Sequence, residues 1–171
     1  MTQMHCHPAA LPLDELLAEC DVEFVRRSGP GGQHRNKVAT GVVLRHRPSG
    51  LRAEANERRS QAENRTVVLL RLRINLALEV RLNRRPGDVP SPLWRSRAGG
   101  GRIAVSPTHD DFPALLAEAL DVLAAAEFDP KRAGETLACS ASQLVKILKK
   151  EPRSLAEVNQ QRQRRGDHLL R

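Results

Sequence analysis

Gly31-Gly32-Gln33 is the part of this sequence best suited to chemistry. Two adjacent glycines remove both Cβ atoms and admit positive φ, so the backbone can come closer to a bound molecule than any other pair allows. The amides of Gly32 and Gln33 are then free to donate. When water attacks an ester carbonyl, negative charge builds on its oxygen, and a positioned N–H aimed at that oxygen is commonly worth ~3–4 kcal/mol. No nucleophilic side chain is needed, and the Gln33 amide can position or screen the water. Arg26, Arg27, Arg35 and Lys37 surround the tripeptide with cations suited to phosphate. A plainer reading is a Gly-rich turn capping a hairpin, its arginines merely solvated. His34 could act as an acid or base or simply sit at the surface; His46, beside Pro48, is expected to pack or hydrogen-bond at a strand end.

Other reactive residues carry less. His5, Cys6 and His7 are adjacent near the start of the chain, a pattern that fits a mobile tail better than a metal site without a fourth ligand. Cys6, Cys20 and Cys139 are odd in number, far apart and free of any C-x-x-C pair, which argues against a disulfide framework or a zinc ribbon and for a reducing compartment. No cofactor and no metal are expected. No apolar run reaches the ~18 residues that span a bilayer, and the first twenty lack a secretory pattern, so a cytoplasmic protein is expected.

The elements that must position the glycine pair can be read around it. Leu13 to Cys20 has helical spacing, and Asp21 to Arg27 alternates Val22, Phe24 and Arg26 against Glu23, Val25 and Arg27, as a strand does. Thr40 to Arg47 predicts a second strand, closed by Pro48-Ser49-Gly50, and Leu51 to Ala55 returns as its partner. From Gln61 to about Leu82 the spacing of Val67, Leu70, Ile74, Leu78 and Leu82 predicts a long helix covering the sheet, with Arg65, Arg71, Arg73 and Arg81 on other faces. Residues 84–108 hold four prolines and Gly99-Gly100-Gly101 and read as a linker, with a short extended piece at Arg102 to Val105. Phe112 to Ala126 predicts a helix, and shorter ones follow at Lys131 to Ala138, Ser140 to Lys150 and Arg153 to Arg165.

Charge marks where a partner would sit. The 171 residues carry a formal net charge of +8, with an isoelectric point near 10.4, which favours a polyanion and puts nucleic acid first. Asp21 to Arg85 holds 15 basic and 6 acidic residues, whereas Thr108 to Arg171 holds 10 of each. Aromatic residues make up only 2 %, so the core must come from Leu, Val, Ile and Ala.

The run Arg27 to Lys37, followed by Thr40-Gly41, by His46, Pro48, Ser49 and Gly50, and by Glu57-Arg58-Arg59-Ser60-Gln61 with Asn64, resembles the GGQ domain of class I peptide chain release factors. The resemblance covers about Asp21 to Val80, in order and without large gaps. Arg35 departs from it, standing where the family usually has an apolar β-branched residue. The expected fold is α+β, a small mixed sheet bearing the GGQ loop with one long packing helix, to which the apolar periodicity further along adds a small all-helical C-terminal domain. The resemblance assigns catalysis of peptidyl-tRNA ester hydrolysis to Gly31, Gly32 and Gln33, at the peptidyl transferase centre of the ribosome. RNA contacts are expected from Arg26, Arg27, Arg35, Lys37, Arg58, Arg59, Arg65, Arg71 and Arg73. The expected organisation is a tail with a short helix (1–20), the GGQ domain (21–83), the linker (84–108) and the helical domain (109–171). With 171 residues there is no room for a codon-reading domain, so the chain looks more like the short, codon-independent members that rescue stalled ribosomes. The expected partners are ribosomal RNA and peptidyl-tRNA, without membrane, for a protein monomeric in solution. The rival reading is a non-catalytic ribosome- or RNA-binding protein that keeps the domain for docking.

Those short members often end in a disordered basic tail; here the C-terminal region has apolar periodicity instead. Ala133, Leu137, Cys139, Ser140, Gln143, Leu144 and Leu148 are spaced as in a helix-turn-helix, or as in an ordinary three-helix appendage. If nucleic acid binds there, Lys146, Lys149, Lys150 and Arg153 are its phosphate contacts, and Arg162 to Arg165 could be a shortened basic tail.

Overall fold

In a computed structural model the protein is described over residues 6–26, 39–100 and 102–171. It divides into two compact units, Met1–Glu79 and Val80–Arg171.

The first unit is a three-stranded sheet with one long helix. Strands β1 (Cys20–Val25), β2 (Gly41–His46) and β3 (Arg52–Ala55) lie in that order, preceded by a 3₁₀ turn (Pro8–Ala10) and helix α1 (Leu13–Ala18). Both pairings are antiparallel, with Val22 opposite Leu44 and Leu44 opposite Ala53. The α+β class expected from sequence holds, but the sheet is antiparallel rather than mixed. A parallel neighbour needs a crossover of about a dozen residues or more, and the short turn between β2 and β3 cannot supply one. Helix α2 (Gln61–Glu79) packs on β2 and β3. Its buried stripe is Val68, Leu72 and Leu76, one to two residues out of step with the expected Val67, Leu70 and Ile74, which are only half-buried, whereas Leu78 of the expected stripe is buried. The run Val67-Val68-Leu69-Leu70 is apolar throughout and satisfies two helical registers, so packing against Val42, Leu44, Ala53 and Ala55 decides between them. β1 is an edge strand beyond the helix, which leaves Val22 and Phe24 41 % and 50 % exposed.

The N-terminal residues are not a loose tail from Cys6 onward. His7 is buried, and its Nδ1 accepts the Ala9 amide at 3.1 Å, capping the 3₁₀ turn that packs on α2.

The second unit is built around α4 (Phe112–Ala125), which is buried along nearly its whole length, as expected of a helix apolar on every side. Around it lie α5 (Pro130–Thr136), α6 (Ala141–Lys149) and α7 (Pro152–Arg164), bounded much as the sequence indicates. Residues 84–108 do not link two domains but are folded into this unit. They form a 3₁₀ turn (Pro86–Asp88), helix α3 (Pro92–Arg97) and a small hairpin of β4 (Ala98–Gly99) and β5 (Arg102–Ile103). Two carboxylates on α4 hold the stretch: Asp121 accepts from the Leu82 amide at 3.0 Å and from Arg84 Nε at 2.8 Å, and Glu118 accepts from the Ser91 amide at 2.7 Å. Both acids are buried, where polar groups need hydrogen-bond partners. Trp94 is fully buried, and its indole N–H donates to the Leu137 carbonyl at 2.9 Å. No described helix is long and apolar enough to cross a membrane.

Candidate functional site

In sequence, Gly31-Gly32-Gln33 falls between two paired strand ends. Val25 of β1 stands opposite Gly41 of β2, and residues 26–40 connect them. Gly31, Gly32, Gln33, Arg27, His34, Arg35 and Lys37 fall outside the described residues, whereas the two ends of the connection are within them. At the entry Arg26 is exposed. At the exit the strands approach so closely that a Cβ on Gly41 would stand 2.7 Å from Val25 Cγ2 and 2.9 Å from the Val25 carbonyl oxygen. Only glycine fits there without displacing backbone.

The exit is held by the first turn of α2. Asn64 is fully buried, and its amide nitrogen donates to the Thr40 carbonyl at 2.7 Å and to the Arg58 carbonyl at 2.9 Å. Its amide oxygen accepts from the Arg58 N–H at 2.9 Å, which fixes which way the amide faces, because that N–H needs an acceptor. Gln61 adds a second tie, donating from Nε2 to the Ala39 carbonyl at 3.1 Å. One buried side chain therefore joins the loop exit to the turn at Arg58 and to the helix.

The predicted cations of this unit sort into two groups. Arg58, Arg59 and Arg65 are exposed and form no ion pair with any described residue. Arg58 belongs to the Asn64 network through its backbone, and Arg65 follows Asn64 in sequence. Arg71 and Arg73 are engaged within the protein instead. Arg71 grips Glu57, with Nη2 at 2.6 Å from Oε1, and donates to the Glu54 carbonyl at 2.8 Å. Burial acts to raise the Glu57 carboxyl, but the backbone amides of Glu57 and Asn56 and the Arg71 guanidinium outweigh it and hold the carboxyl below its ordinary value. Arg73 donates to the Leu11 carbonyl at 2.7 Å, tying the N-terminal segment to α2.

His46 is a structural residue, as its place at a strand end suggests. It is buried, and its Nδ1 accepts from the Ser49 amide at 3.3 Å and meets Ser49 Oγ at 2.7 Å. Its Nε2 therefore carries the proton and donates to Glu19 at 2.8 Å, which binds the β2–β3 turn to the start of β1.

Lys146, Lys149 and Lys150 belong to the second unit. The first two are exposed, whereas Lys150 Nζ donates to the Val105 carbonyl. No group of His, Cys, Asp and Glu suited to a metal ion occurs among the described residues. The position of Asn64 was visible in the sequence, but its role was not. The signal was its place at the head of the spacing 64, 68, 72, 76, a polar residue opening the buried stripe.

Residues 15–89 match the RF-1 domain family. The chain is 44 % identical over 61 residues to a mitochondrial translation release factor in rescue of Mus musculus, a match covering 36 % of this chain and 32 % of that protein. Against the factor of that name in Danio rerio it is 53 % identical over 47 residues, 28 % of this chain and 30 % of that one. Peptide chain release factor 1 of Leuconostoc citreum is 45 % identical over 60 residues, 34 % of this chain and 17 % of that factor. The chain thus matches a third or less of the length of these relatives. The matched segment contains the β1–β2 stem, the Asn64 network and the intervening Gly31-Gly32-Gln33, and it is over this segment, less than half of the chain, that the protein is similar to release factors.

Proposed function

We propose that this protein promotes hydrolysis of the ester joining a peptide to tRNA on the ribosome, without reading a stop codon. The observation that carries the reading is the tethered stem: the segment bearing Gly31-Gly32-Gln33 springs from the Val25–Gly41 pair, and Asn64 clamps its exit. A rigid base suits a loop that must present backbone amides at a fixed place in a site made largely of RNA. Water attacks the ester carbonyl, its oxygen bonds to carbon, and the C–O bond to the ribose breaks. The peptide leaves as the acid and the tRNA regains its hydroxyl. An N–H of Gly32 or Gln33 donates to the carbonyl oxygen as charge develops, and the Gln33 side chain orients the water. Arg58, Arg59 and Arg65 hold the domain on phosphate. The Mus musculus and Danio rerio relatives are named as release factors in rescue, which supports carrying the codon-independent form of this activity to the present chain.

The test is peptide release from ribosomes carrying truncated mRNA and from ribosomes paused at intact sense codons, with and without a stop codon in the A site. Release on truncated mRNA without a stop codon is expected. Gln33→Ala should lose less than Gly32→Ala if the backbone amide supplies most of the stabilisation.

A further inference from the structure

The second unit carries a helix pair that this reaction does not use. α5 and α6 pack on each other across residues 137–140. The turn is tight: a Cβ on Gly134 would stand 2.6 Å from the Cys139 carbonyl oxygen and 3.3 Å from the Ala141 nitrogen, and Ala138 takes a φ of 52°. It is also braced, since Trp94 donates to the Leu137 carbonyl and the Ser140 hydroxyl caps α6 by accepting the Gln143 amide. Leu144, Ile147 and Leu148 face the core. Ser142, Lys146 and Lys149, spaced i, i+4 and i+7, form one exposed stripe along the outside of α6.

Positive charge in this unit is sorted. Lys150 is spent on the Val105 carbonyl, Arg153 on Glu151, Arg162 on the carbonyls of Phe128 and His168, and Arg165 on Glu127. Arg162 and Arg165 are thus part of the folded unit and not a basic tail. Lys146 and Lys149, by contrast, are exposed and form no ion pair with any described residue, and the same holds for Lys131 and Arg132 in the first turn of α5. On these two helices Glu135 is the exposed acid.

We propose that α5 and α6 form a docking surface for base-paired RNA. Lys131, Arg132, Lys146 and Lys149 contact phosphates, and Ser142 bonds to a 2′-hydroxyl. A rigid helix-turn-helix with cations on its outer stripe fits a duplex, because the second helix can follow a groove while the first meets the backbone. In RNA the reachable features are phosphates and 2′-hydroxyls, which suits lysines and a serine. The choice of RNA over DNA rests on the ribosomal reading above; the docking itself does not.

The experiment is fluorescence anisotropy of the full chain with a labelled RNA hairpin and with a DNA hairpin of the same length, over a range of salt. Lys146→Gln/Lys149→Gln should weaken RNA binding at least about 10-fold and lower the slope of log affinity against log salt by roughly 1.5–2, the share of two phosphate contacts. Lys131→Gln/Arg132→Gln should do likewise, with thermal unfolding unchanged in both variants. Unaltered affinity and slope would overturn the proposal, and tighter binding to the DNA hairpin would overturn its choice of RNA. Absence of peptide release by the wild type would sink the release reading alone, because the hairpin measurement needs no ribosome.

Discussion

The Asn64 side-chain amide donates to the Thr40 carbonyl at 2.7 Å, across 24 positions of sequence, and so couples the first turn of α2 to the exit of the loop that bears Gly31-Gly32-Gln33. Because Asn64 also satisfies both backbone groups of Arg58, three polar groups depend on one fully buried side chain. Losing it is costly, since buried groups left unpaired keep their full desolvation penalty.

Asn64→Ala should therefore destabilise the protein by about 2–4 kcal/mol, read from urea unfolding. Asn64→Asp is more informative. It places an ionised carboxylate against two carbonyl oxygens, which raises its folded-state pKa above the unfolded value. Stability of this variant should accordingly recover as pH falls and the carboxyl is protonated. A variant whose stability is flat with pH would show that the amide does not make these bonds.

Gly41→Ala should cost about 1–3 kcal/mol, because the new Cβ meets the Val25 carbonyl oxygen at 2.9 Å and backbone cannot yield as a side chain can. The loss should be accompanied by faster amide exchange at Val25 and Gly41. Wild-type exchange in Gly41→Ala would contradict the close pairing of the stem.

Charge reversal should separate the two sets of arginines. Arg58→Glu, Arg59→Glu and Arg65→Glu together should weaken ribosome binding and flatten its salt dependence while leaving thermal unfolding nearly unchanged. Arg71→Glu sets two acids face to face and removes the bond to the Glu54 carbonyl, so it should lower stability by about 1 kcal/mol even without ribosomes, a modest figure because the pair is half-exposed. Equal stability losses in both sets would erase the distinction.

The lowered Glu57 carboxyl makes a pH prediction. A group with a depressed folded pKa contributes stability that is present above its unfolded pKa and lost as pH falls through the folded one. Wild type should therefore exceed Glu57→Gln in stability at neutral pH, and the gap should close as pH drops through and below the ordinary glutamate range. A gap that widens in acid would reverse the sign and contradict the pairing with Arg71.

What could be read from the sequence was local. The alternation of Val22, Phe24 and Arg26, the Pro48-Ser49-Gly50 turn and the helices expected from Lys131, Ser140 and Arg153 announce β1, the β2–β3 hairpin and α5 to α7 within a residue or two. What escaped depended on distant partners. Pro86, Pro90 and the glycines near 100 punctuate the chain as a linker would, yet Asp121 and Glu118, buried on α4, draw that stretch into the second unit. Arg71 and Arg73 look like RNA contacts because the groups that engage them, Glu57 and the carbonyls of Glu54 and Leu11, are invisible to helical spacing. The tripeptide is legible as a motif; that its exit hangs on Asn64 is legible only from the fold.

The most direct measurement is the rate of peptide release from ribosomes stalled on truncated mRNA by wild type and by Gly32→Ala, at matched ribosome occupancy. Release by wild type without a stop codon, and a loss of about 10²–10³-fold in Gly32→Ala with binding intact, is the predicted result. Equal release by the two proteins, or release that requires UAA, UAG or UGA in the A site, would contradict the account.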